Sequence, residues 1–232
     1  MSILDVGCGP GTITIDLATR VPRGHVIGVD QVPEPLEAAM KLAIDTGIVN
    51  ASFQQGDALN LPFPDGSFDV MHAHQLVQHI PDPVHALREM RRVARPGGLV
   101  AVRESDSSSA AWFPNNPGLQ GFRDLCPRVA RFNKWDMDAG RKLVSLALQA
   151  GFSRENINAS AGAWCYSSPE ERAHWAELLT GAMVHGSIGR SAIQEGIATQ
   201  GDVEHIVEGL RIWGAEEDAW YAVLHGEVIC HV

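Results

Sequence analysis

The chain has 232 residues, 45% of them hydrophobic and 20% charged, with a net charge of −10. That length and apolar share suit one large domain with a buried core, and the acidic balance argues against nucleic acid as a partner. No apolar stretch reaches the length of a membrane span, so no stable membrane insertion is expected. Cys8, Cys126, Cys165 and Cys230 fit neither a metal-ligand spacing nor a disulfide framework, and they read as free thiols. The N-terminus carries no signal segment, and the expected location is cytoplasmic.

In chain order, Ile3 to Gly7 is an apolar run stopped by glycines, the pattern of a buried strand. Thr12 to Arg20 carries a helical stripe in Ile13, Leu17 and Val21. His25 to Asp30 predicts a second strand. Leu36, Met40 and Ala43 predict a helix ending near Gly47. Ala51 to Gly56 and Phe68 to His74 predict strands three and four. Val84, Leu87, Met90 and Ala94 mark a helix stopped by RPGG, and Gly98 to Glu104 predicts a fifth strand. Strands alternating with helices imply a parallel sheet covered on both faces.

The second half is less regular. Ser105 to Asn116 reads as a polar loop, followed by helices near Gly121 to Phe132 and Arg141 to Ala150. A turn then leads into a sixth strand. Pro169 to Ala215 reads as mainly helical, and Trp220 to Val232 as a final strand. The expected organisation is one structural domain. Residues 1–106 bind the ligand, 107–168 complete the core, 169–218 form a helical lid insertion, and 219–232 return to the sheet.

The stretch DVGCGPG places glycines at 7, 9 and 11. This G-x-G-x-G spacing differs from the G-x-G-x-x-G dinucleotide fingerprint, although the glycines serve the same purpose of close backbone approach to a ligand. Asp30 ends the second strand about 20 residues on, where an acid either binds ribose hydroxyls or caps the following helix. Asp57 follows the third strand, as an adenine-amine acceptor or as a turn residue. All three features fall at strand C-termini, the edge where open α/β sheets bind ligands.

LDVGCGPG, GVD, GDALNLPFPDGSFDV and RPGGLVAV resemble the class I S-adenosylmethionine-dependent methyltransferases. The likeness is closest to the ubiquinone/menaquinone-biosynthesis C-methyltransferases and spans residues 3–106. It implies a Rossmann-like, doubly wound, mostly parallel seven-stranded sheet whose last strand is antiparallel. It also implies S-adenosyl-L-methionine as cofactor. Asp5, Gly7 and Gly9 would then lie beside its methionine part, with Cys8, Gly11 and Thr12 completing the loop. Asp30 would take the ribose hydroxyls with Gln31 alongside, Asp57 and Ala58 would meet the adenine, and His74 would lie near the sulfonium. A zwitterion carrying a sulfonium needs no basic residue in the loop, and the loop has none.

Methyl transfer relies on in-line positioning, with a general base needed only where the acceptor loses a proton. His79 is the candidate base, with His74 and Glu104 as further catalytic candidates and Asp106 beside them. Glu104 and Asp106 either face the acceptor, cap the next segment or pair with Arg103. His72, His74 and His79 have no partner ligand at familiar spacing, so no metal site is expected. One or two of Trp112, Phe113, Trp164, Trp175 and Trp213 would line an acceptor pocket, the rest being core.

The expected activity is methyl transfer to carbon or oxygen of a small, largely apolar metabolite. The alternative is a cofactor-binding protein of the same fold without methyl transfer, either a cyclase-like enzyme or an inactive partner subunit. Related enzymes carry helices ahead of the first strand, whereas only Met1 and Ser2 stand there in this sequence. The expectation is an open cleft and an edge covered by a second subunit in a homodimer.

Overall fold

The computed structural model describes all residues 1–232. Seven strands form one sheet: β1 (Ser2–Val6), β2 (His25–Asp30), β3 (Ala51–Gln55), β4 (Phe68–His74), β5 (Ala94–Phe113), β6 (Ile157–Tyr166) and β7 (Trp220–His231). Their order is β3-β2-β1-β4-β5-β7-β6. β1 pairs in parallel with β2 and β4, β2 with β3, and β4 with β5. The last strands run antiparallel, giving the mixed Rossmann-like sheet.

Eight α-helices accompany the sheet: α1 (Thr12–Arg20), α2 (Pro33–Thr46), α3 (Pro83–Val93), α4 (Pro117–Asn133), α5 (Leu143–Gln149), α6 (Pro169–Val184), α7 (Ser187–Gln194) and α8 (Gln200–Ala215). Local chemistry sets many of their ends. Pro33, Pro83, Pro117 and Pro169 open helices where the missing N–H costs nothing. Asp82 caps α3 by accepting from His85 N–H, and Asn116 caps α4 by accepting from Gly118 and Leu119. Capping boxes at Ser168 and Thr199 start α6 and α8.

The chain divides into two compact units. The first holds residues 1–104, 139–161 and 226–232, and the second holds 105–138 and 162–225. In the first, Leu4, Val6, Met71, Val100 and Val102 pack with Leu87, Met90 and Val93 of α3. Met71, Val100 and Val102 alternate with less buried neighbours because one strand face meets that helix, whereas the central β1 is buried on both faces from Ile3 to Val6.

The second unit is larger than the lid insertion expected at 169–218. Leu119, Leu125 and Val129 of α4 share one core with Leu179, Met183, Leu210 and Trp213, so residues 105–138 belong with the later helices. The stretch from Ser105 also departs from expectation, because β5 continues to Phe113 instead of giving way to a loop. Its polar residues find partners along the strand. Ser107 N–H donates to Met137 O, Ser108 N–H to Asp138 Oδ1, and Ser109 Oγ accepts from Leu224 N–H. Trp112 stacks on Tyr221 of β7 with an interplanar angle of 11°. Serine-rich composition suggested a loop, but paired polar side chains and one stacked tryptophan hold a strand.

No helix is long and apolar enough to cross a membrane. The four cysteines are free, with Cys165 exposed and the others buried.

Candidate active site

The first unit carries a cleft of about 270 Å³ at the C-terminal ends of β1 and β2. Val6 and Gly7 form one side, Asp30, Gln31 and Val32 the next, and Gly56, Asp57, Ala58 and Leu59 the third. Leu76, His79, Ile80 and Pro81 complete the wall.

The glycine loop is fastened to the end of β2. Gly7 and Cys8 donate their N–H groups to Val29 O at 2.8 and 3.0 Å. This brings the Gly9 N–H to Asp30 Oδ2 at 2.9 Å, while Val32 N–H reaches Asp30 Oδ1 at 3.0 Å. Each carboxylate oxygen keeps a second lone pair for a ligand hydroxyl. Gly7 has φ 73° and Gly9 φ 50°, both in the left-handed region that favours glycine. A Cβ on Gly9 would meet nothing within 4 Å, so the backbone there faces open space.

Asp57 is held by a local turn, its Oδ1 accepting from Leu59 N–H at 2.9 Å, and the residue is exposed beside Ala58. The lining holds two carboxylates and neither lysine nor arginine. Such an acceptor set suits hydroxyls, an amine and positive charge, and it would repel a phosphate chain. S-adenosyl-L-methionine has that chemistry, so the residues present fit it.

Of the expected cofactor residues, the cleft brings together Gly7, Asp30, Gln31, Asp57 and Ala58. Gly9 and Gly11 shape the loop, and Thr12 opens α1 as an exposed residue. Asp5 is placed elsewhere. It is 2% exposed, accepting from Thr14 Oγ1 at 2.6 Å and pairing with His72 Nδ1 at 2.7 Å. Asp5 and His72 are register partners on adjacent strands, so the pair is set by the sheet itself. The Cys8 thiol is buried, and burial pushes its pKa up to about 12, which makes it a packing group and a poor nucleophile.

The catalytic candidates separate. His79 lines the cleft. The residue as a whole is exposed, yet the protein atoms packed around its ring lower its pKa, which favours the neutral imidazole. His74 ends β4, half-buried, opposite Arg103 in register. Glu104 is turned inward rather than toward an acceptor. It is fully buried, and its Oε1 accepts from Leu76 and Val77 N–H, both at 2.8 Å. Arg103 pairs with Glu227 at 3.1 Å. In the second unit, Asp106 is buried, and its backbone O accepts from Ser109 Oγ. Trp112, Trp164, Trp175 and Trp213 belong to an aromatic cluster with Tyr166 and Tyr221, while Phe113 is half exposed.

Sequence reading missed Leu76 and Ile80 as cleft wall. No motif marks them, and only the turn after β4 brings them to the loop.

A model described as a methyltransferase domain matches residues 1–162. The chain belongs to this methyltransferase family. An uncharacterised methyltransferase of Schizosaccharomyces pombe is 34% identical over 98% of this chain and 83% of its own length. A demethylmenaquinone methyltransferase of Listeria monocytogenes is 31% identical over 66% of this chain and 70% of its own. Among solved structures, a Bacillus halodurans protein provisionally named a methyltransferase superposes with a TM-score of 0.61 at 18% identity. It covers 98% of this chain and 90% of its own, a likeness of fold. The methyltransferase match includes the whole cleft, since every lining residue precedes residue 162.

Proposed function

We propose that this methyltransferase transfers a methyl group to carbon or oxygen of a small, largely apolar metabolite. Its cofactor is S-adenosyl-L-methionine. The observation that supports the cofactor reading is that Asp30 and Asp57 line one cleft that has no lysine or arginine, beside a glycine loop at the sheet's C-terminal edge. When bound, the cofactor supplies an electrophilic methyl on a sulfonium.

The chain's residues divide the remaining work. Asp30 accepts from ribose hydroxyls, and Asp57 accepts from the adenine amine with Ala58 against the ring. The open backbone at Gly9 admits the methionine part, with Gly7 beside it. His79, held neutral by its surroundings, takes a proton where the acceptor must lose one. His74, at the end of β4, stands toward the reacting end. Holding the acceptor in line supplies the larger share of the rate.

The test is incubation with S-adenosyl-L-methionine carrying a labelled methyl group and a metabolite extract, followed by mass spectrometry. Labelled methyl on one compound, with S-adenosylhomocysteine formed in equal amount, supports the reading. Cofactor binding with no labelled product from any extract contradicts it.

A further inference from the structure

Glu104 lies at the boundary of the first unit on β5, with none of its surface in solvent. Its Oε1 holds the amides of Leu76 and Val77 at 2.8 Å each. Those amides begin the turn that leaves β4. Gln75 enters it with φ 53°, a left-handed conformation unusual for a residue other than glycine, and donates its N–H to Arg103 O at 2.9 Å. The turn closes as a single 3₁₀ turn over Val77–His79, with His79 N–H donating to Leu76 O at 3.0 Å.

Val77 is buried, and Leu76 is half-buried. Without Glu104 these amides would point into the core with no acceptor, which a fold rarely tolerates. Successive N–H groups aimed at one carboxyl form a small anion-holding concavity, here filled from within the chain. The turn is also the fourth wall of the cleft. Leu76, His79, Ile80 and Pro81 line it, and Leu76 packs directly on Gly7.

We propose that Glu104 is a positioning residue: by holding the Leu76 and Val77 amides it fixes the turn that walls the cofactor cleft. This inference rests on the reading of the cleft as the S-adenosyl-L-methionine site. It assigns Glu104 no contact with the cofactor or the acceptor. Glu104 Oε2 has no partner, so a glutamine retains the one oxygen that the turn uses.

Calorimetric titration with S-adenosyl-L-methionine, on the full chain, separates the cases. Glu104→Gln is expected to bind within about threefold of wild type, and Glu104→Ala about tenfold or more weaker, the loss of an acceptor serving two buried amides. Val100→Ala, at a fully buried position of the same strand, serves as the control. It is expected to melt lower and yet bind as wild type does. Equal affinity of Glu104→Ala and wild type overturns the proposal, as does equal weakness of the alanine and glutamine variants.

Amide hydrogen exchange supplies a second readout on the wild type and Glu104→Gln, independent of whether Glu104→Ala folds. Protected Leu76 and Val77 amides in both support the role, and fast exchange in the wild type overturns it. Failure of the wild type to bind the cofactor rejects the reading of the cleft, while the exchange result still decides whether Glu104 holds the turn.

Discussion

Leu76 fills the space that a side chain on Gly7 would need: a Cβ built there would stand 2.6 Å from Leu76 Cδ1. Gly7 therefore has two reasons to be glycine, its φ of 73° and this neighbour. Gly7→Ala is expected to cost about 1–2 kcal/mol from the left-handed backbone alone, with a further loss from displacing Leu76. Adding Leu76→Ala relieves the crowding and leaves the backbone term. Thermal melts of both single variants and the double test this. A Gly7→Ala protein that melts with the wild type contradicts it.

Much of this arrangement was legible in the sequence. The glycine spacing, Asp30 at the end of β2 and Asp57 after β3 are local signals, and the parallel sheet brings them to one edge. Leu76 was not legible, because its place depends on a tertiary turn without a glycine or proline signature. The sequence places Asp5 beside a ligand and leaves Glu104 to face the acceptor, cap the next segment or pair with Arg103. Burial turns each inward, since a strand carboxyl sits equally well against buried N–H and O–H donors. The serines after Glu104 misled for a related reason: their strand depends on partners at Met137, Asp138 and Leu224, far along the chain.

Asp5 and Asp30 should respond in opposite ways. Asp5→Ala strips acceptors from Thr14 and His72 in a buried place, a cost of about 2–3 kcal/mol. Asp30→Ala frees two amides at the cleft rim, where water replaces the lost partner. Asp5→Ala is expected to lower the melting temperature more, and Asp30→Ala to weaken cofactor affinity more. Calorimetry and thermal melts on both variants check the ranking, and the reverse order would show that Asp5 is a ligand contact.

Glu104 also makes stability depend on pH. Burial raises its pKa from 4.5 to about 7, against the pull of the Val77, Leu76 and Gln78 amides. Between those values the folded chain keeps a proton that the unfolded chain has released, so stability falls as pH rises from about 4.5 to about 7 and levels off above. Urea unfolding of the wild type and Glu104→Gln from about pH 5 to about pH 8 reads this directly. The wild type is expected to lose stability relative to the variant as pH rises. A constant difference between the two contradicts the buried acid.

In the second unit, Trp213 is fully buried, and its indole N–H donates to Phe113 O at 3.1 Å. Trp213→Ala is expected to cost about 3–5 kcal/mol. Trp213→Phe, which keeps most of the volume, is expected to cost less. Denaturant midpoints rank the two, and equal losses would mean that the hydrogen bond and the local packing outweigh ring volume.

The central claim is that the Asp30–Asp57 cleft binds S-adenosyl-L-methionine. Isothermal titration of the cofactor into the wild type and Asp30→Ala at neutral pH tests it most directly. The account predicts saturable one-to-one binding by the wild type. It predicts binding about 100-fold weaker for Asp30→Ala, the loss of hydrogen bonds to a charged acceptor. Absence of binding by the wild type, or the same affinity in both proteins, would contradict it.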